Sequence, residues 1–132
     1  MGSDYIYDYS VIRVVPKVER EEFINAGILV SCEEKEFLEA RIELDERRFK
    51  AIAPQFDIET AKVHLSAIPI ICAGGKAAGS IGELSQRKRF NWLTSPKSTI
   101  IQMSPVHSGY CKDPAEALEH LFQTMVKNPS FK

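Results

Sequence analysis

No stretch of this chain approaches the roughly 18 consecutive apolar residues that a membrane-crossing helix needs, and no cysteine pattern marks a disulfide framework or a zinc site. The cysteines are Cys32, Cys72 and Cys111, an odd number without a Cys-x-x-Cys pair. Such sparse thiols suit a reducing compartment, so a cytoplasmic protein is expected. An excess of charge is also missing: 17 Lys and Arg stand against 18 Asp and Glu, a net charge of -1. No global field therefore draws the chain to nucleic acid or anionic membrane. The amino terminus has neither a basic region nor an apolar core, and Ile6 stands where a myristoylation motif has Ser or Thr. No targeting or lipidation is expected.

What is present is an ordinary globular composition, 44% hydrophobic and 27% charged over 132 residues, enough for one domain spanning 1–132 with its own core. Tyr5 to Val15 alternates as a strand that Pro16 ends, with Tyr7, Tyr9, Val11, Arg13 and Val15 on one face. An arginine in this apolar run needs a partner, and the cluster Glu19-Arg20-Glu21-Glu22 is the expected source of a carboxylate. Phe23 to Cys32 forms a second strand with Gly27 marking a bulge, and Asn25 lies two residues before it. The polar turn Glu33-Glu34-Lys35-Glu36 returns the chain as a third strand, Phe37 to Leu44, which makes a hairpin. This acidic turn lacks the spacing and glycine of a calcium loop.

Asp45 caps a short helix carrying Phe49 and Ile52, and Asp57 caps a longer one whose stripe is Ile58, Ala61, Leu65, Ile68 and Cys72. Pro69 strains its last turn and Gly74-Gly75 ends it. His64 borders that stripe with no second metal-binding residue at i+4, so no metal is expected. The glycine-rich run from Gly74 to Gly82 is not a phosphate loop, because Ser80 rather than lysine follows Gly79; it reads as a flexible connection. Residues 85–97 interleave Arg87, Lys88, Arg89 and Lys97 with Phe90 and Trp92. The aromatics are expected to anchor this loop while the cations face water; a single-stranded nucleic-acid or phosphate surface is the alternative. A final helix starts at Asp113-Pro114, where Glu116 closes a capping box, and buries Leu118, Leu121, Phe122, Met125 and Val126.

The densest collection of hydrogen-bonding groups is Thr94 to Gly109. Its middle, Thr99 to Met103, is a strand between Pro96 and Pro105, and alternation puts Ser98, Ile100, Gln102 and Ser104 on one face. Ser95 and Ser104 each precede a proline, which holds them extended at the strand ends, while His107 and Gly109 follow in an exit loop. The candidate binding residues are therefore Ser95, Lys97, Ser98, Gln102, Ser104 and His107, with Arg13 and Asn25 bordering them. No catalytic residue, metal ligand or cofactor is assigned. A hydrolase using Ser104 and His107, with Cys111 as another nucleophile, is a further alternative, but spacing establishes neither a base nor an orienting acid.

The runs Tyr7 to Pro16, Glu22 to Gly27, Ala40 to Asp45, Arg89 to Thr99, Ile101 to Gly109 and Asp113-Pro114 together resemble the bacterial proteins grouped as domain of unknown function 3037. The resemblance implies a small bacterial protein, often encoded beside a kinase-like protein of the HipA type, and no established activity. Lys97 stands where similar sequences have arginine, a point charge in place of a planar fork. The expected architecture is α+β: an antiparallel sheet of about four strands with helices packed on one face. The expected role is a binding or adaptor module for a partner protein, with the kinase-like neighbour as the candidate. Nucleic acid and membrane are not expected partners.

Overall fold

The computed structural model describes residues 4–17, 20–96 and 100–127. Among these residues five antiparallel strands form one sheet around the long first strand, β1 (Tyr5–Lys17), which continues through Pro16. One flank of β1 pairs with β2 (Glu22–Cys32), which in turn pairs with β3 (Phe37–Ile42) through the expected hairpin. The turn is a short 3-10 segment, Glu33–Lys35, closed by Glu36 at φ 53. The other flank of β1 pairs with β4 (Ile101–Met103) and, further along, with β5 (His107–Cys111). β4 and β5 thus form one edge strand interrupted at residues 104–106. Pro105, which has no N–H for a ladder, sits in that interruption.

Gly27 does mark a bulge. β2 places an extra residue between the pairs Ile12↔Gly27 and Arg13↔Asn25. A Cβ at Gly27 would lie 2.7 Å from the Arg41 carbonyl oxygen, so the close approach of β3 admits glycine alone.

The sheet carries helices on both faces. On one lie α1 (Glu46–Ile52), α2 (Ile58–Ala73) and α3 (Gln86–Thr94), whose Phe49, Leu65, Ile68, Phe90 and Leu93 share a core with Ile12, Val14, Ile24 and Leu29. On the other lies α4 (Pro114–Phe122), whose Leu118, Leu121 and Phe122 pack on Val11, Ile28 and Val30. Strand alternation requires this division, since Val11 and Ile12 point to opposite sides. The expected placement of all helices on one face is thereby corrected. α4 packs on the other face instead, because its apolar stripe does not say which face of the sheet it will meet.

The three aspartates cap their helices as expected. Asp45 accepts from the Arg48 N–H, Asp57 from that of Glu59, and Asp113 from that of Ala115. Pro69 lies inside α2, which Gly74 ends at φ 75. Two segments read as irregular are helical. Residues Lys76–Glu83 form a 3-10 stretch kinked at Gly79, and α3 replaces the expected basic loop, with Ser85 accepting from the Lys88 N–H at its start. Beyond α4 the chain makes a π turn, Gln123–Lys127, and there Met125 is exposed rather than buried. No single helix among the described residues is long and apolar enough to cross a membrane.

Candidate functional site

Register brings three of the expected residues into one row. Arg13 on β1 is flanked by Asn25 on β2 and Gln102 on β4, all on the face that carries α4. Ile101 and Met103, the neighbours of Gln102, turn instead toward α2 and α3. α4 covers the β2 side of this face, and its π turn reaches Asn25, whose Nδ2 donates to the Met125 carbonyl at 3.1 Å.

Arg13 is the unusual member of the row. Its guanidinium lies 4.4 Å from the centre of the Phe23 ring, a cation–π contact. No carboxylate among the described residues pairs with it: Glu22 pairs with Arg20 at 2.9 Å, and Glu19 lies outside those residues. The expected acidic partner is therefore replaced by an aromatic ring. Arg13 Nε and Asn25 Oδ1 are both buried without a hydrogen-bond partner, although the two residues face each other across the strands. A buried donor and a buried acceptor left open side by side are expensive, and they accumulate at sites that take an external group. Phe23, 45% exposed, and Met125, 39% exposed, give the row an apolar rim.

Ser104 does not join this surface as a ligand group. It is 4% exposed, and its hydroxyl accepts from the Val11 N–H at 2.8 Å, lies 3.3 Å from the Ser10 hydroxyl and donates to the Pro105 carbonyl at 2.9 Å. Ser10 in turn donates to the Ser104 carbonyl at 2.7 Å. These bonds hold the edge strand to β1 where the ladder is broken. Ser104→Ala should leave the buried Val11 N–H unsatisfied and lower stability by about 1–2 kcal/mol, read as a shifted urea midpoint with unchanged slope. An unchanged midpoint would mean that the latch contributes nothing.

His107 lies in β5 rather than in an exit loop, paired with Tyr9, and its ring sits 5.4 Å from the Tyr9 ring. It shares the face of Arg13 but lies about 13 Å further along by strand rise. It is not among the partners of the Ser104 hydroxyl. Ile100, expected beside Gln102, is buried in the main core, because a strand of 3 residues is too short to impose alternation on its neighbours. Ser95 ends α3, its hydroxyl donating to the Trp92 carbonyl at 2.9 Å, and lines an apolar cleft of about 200 Å³ with His64, Trp92, Ile101 and Met103. Lys97 and Ser98 fall outside the described residues.

The cations of α3 are largely engaged within the fold. Arg87 bridges Asp8 and Glu33, and Arg89 donates to the Leu84, Ile71 and Cys72 carbonyls, closing the end of α2. Phe90 and Leu93 are buried. Burial pushes the Cys72 thiol up from 9.0 to about 12 against the opposing Arg89 charge, and burial and the neighbouring Cys32 also raise Cys111. Neither is an activated nucleophile. Among the described residues no three His, Cys, Asp or Glu side chains gather as metal ligands.

The signal for this site was Arg13 itself, a charge in an apolar strand; Phe23 and Met125 carried none, because an exposed apolar residue is ordinary in isolation. Comparison with curated proteins and with solved structures finds no match. A family model does match, over residues 9–126, and with nearly the whole chain covered this protein belongs to the family described as Protein of unknown function (DUF3037).

Proposed function

We propose that this protein is a cytoplasmic binding module that takes an acidic group of a partner protein on Arg13, with Asn25 and Gln102 beside it and Phe23 and Met125 as the apolar rim. The observation that carries this reading is the half-buried guanidinium of Arg13, which has an aromatic ring against it and no carboxylate among the described residues. A planar fork with open donors suits a carboxylate. An arginine against an aromatic ring, with an exposed methionine on the same row, is also the composition of protein–protein contact centres rather than of nucleic-acid surfaces. The kinase-like neighbour implied by the resemblance is the partner to try first. Unpaired Cys32, Cys72 and Cys111 agree with a reducing compartment.

Neither alternative has a specific observation in its favour. Nucleic-acid binding through 87–98 would have to recruit Arg87 and Arg89 away from internal bonds, and a hydrolase would need the Ser104 hydroxyl freed from the latch.

The test is co-purification with the HipA-type neighbour, followed by calorimetry, for the parent chain, Arg13→Lys and Arg13→Ala. Arg13→Ala should weaken binding about 30-fold or more, roughly 2 kcal/mol. Arg13→Lys should recover part of that, since it keeps the charge and loses the fork. Equal binding by all three chains would exclude Arg13 from the interface.

A further inference from the structure

The two edges of the sheet are built differently. β3 carries Glu39 and Arg41 and is flanked by α2 and α4. Charges and covering helices of this kind are what discourage strand pairing at an edge. β5 has neither. Its residues, His107-Ser108-Gly109-Tyr110-Cys111, include no Lys, Arg, Asp or Glu, and among the described residues β1 is the only element packed closely on it. One side of β5 bonds to β1; among the described residues no strand pairs with its other side.

The side chains along this edge repeat the contrast. Tyr110 is 72% exposed, its cross-strand partner Ile6 is 57% exposed, and Val106 at the entrance to β5 is 44% exposed. Of the charges around it, Lys112 pairs with Asp4 and Arg87 with Asp8, and Asp113 caps α4. Asp8 also accepts from Ser108 at 2.6 Å, which fixes β5 against β1. The result is a row of backbone donors and acceptors without charged side chains of its own, with an apolar platform beside it.

We infer that β5 is a strand-addition site, and that its occupant is an extended, uncharged segment of a partner protein with alternating β-branched side chains. An unpaired ladder selects an extended backbone because only a strand matches its spacing. The alternation follows from the added strand itself, in which only every second residue lies on the face of Tyr110, with Ile6 behind it on β1. A second copy of this chain is the poorer occupant. An edge of 5 residues, with Tyr110 on it and Ile6 and Val106 beside it, covers far less than the roughly 1,200 Å² at which stable interfaces begin. The inference is independent of the Arg13 reading, because it uses a different edge and other residues.

The test uses a random linear peptide library displayed on phage, with the full chain as bait. It should enrich uncharged peptides with alternating Val, Ile or Thr, and a synthetic peptide of that sequence should shift the backbone amides of residues 106–111. Tyr110→Lys should weaken that peptide by about tenfold or more, while Arg13→Ala leaves it unchanged. Circular dichroism checks folding; if Tyr110→Lys fails to fold, Val106→Lys reads the same edge. Three results overturn the inference: no enrichment, peptide binding that a folded lysine variant does not weaken, or a dimer of the parent chain that the lysine variant dissolves. The last would make a second copy the occupant.

Discussion

Phe122→Ala is expected to lower stability by about 3–5 kcal/mol, the range for removing a fully buried phenylalanine. Phe122 has no solvent exposure and fills the contact between α4 and the strands beneath it. Its ring also carries the Arg41 guanidinium at 4.2 Å, and Arg41 pairs with Glu119 one turn earlier on α4. Truncation therefore opens a cavity and removes the surface that orients this ion pair. The pair alone is worth little, because both partners are nearly half exposed to solvent. Urea unfolding measures the loss, and hydrogen exchange should show α4 amides losing protection before those of β1 and β2. A loss below about 1 kcal/mol would mean that α4 is held by the polar ties of the following π turn to Asn25 and Glu43 instead.

Gly27 is the second position of large effect. In Gly27→Ala the new methyl would sit 2.7 Å from the Arg41 carbonyl and 3.0 Å from the Ile42 side chain, so β3 must move away from β2. Overpacking of this kind costs about 1–3 kcal/mol, and Gly27→Val should exceed that range because its branches meet Ile12 as well. The bulge also sets which residues of β2 face each layer: Ile24 and Ala26 before it join the core with α1–α3, as does Leu29 after it. Loss of the bulge would send Asn25 away from Arg13. The check is thermal unfolding of both variants with the amide spectrum of Arg13 and Asn25 as a register marker. Parent-like stability in Gly27→Ala would mean that β3 yields freely.

The features legible in the sequence are those written locally. Asp45, Asp57 and Asp113 each precede an apolar stripe, and each caps a helix. The Glu33–Glu36 turn joins two alternating runs and makes the hairpin. α3 escaped because only Phe90 and Leu93 are buried in its 9 residues, too narrow a stripe to show a period among so many cations. β5 escaped for another reason: His-Ser-Gly-Tyr-Cys has no β-branched residue, and it is a strand because β1, with 13 residues, extends past β4 and offers a ladder. Of the candidate site, Arg13, Asn25 and Gln102 were legible as polar residues on strands. The rim of Phe23 and Met125 depends on where the π turn of α4 comes to rest, and the burial of Ser104 depends on Ser10, which lies 94 residues away.

That separation bears on how the chain is made. β1 is synthesised before every strand it pairs with, and its second flank must wait for β4 and β5. The β1–β2–β3 meander has only short loops to close and so is expected to pair first on the ribosome, whereas sealing the other flank closes a loop of most of the chain. Until then Val11, Ile28 and Val30, which α4 covers in the finished fold, lie open on a half-built sheet. The nascent protein is thus most exposed to aggregation and to chaperone capture in the interval before β5 and α4 emerge, and the serine latch at Ser10 and Ser104 closes only at the end of it.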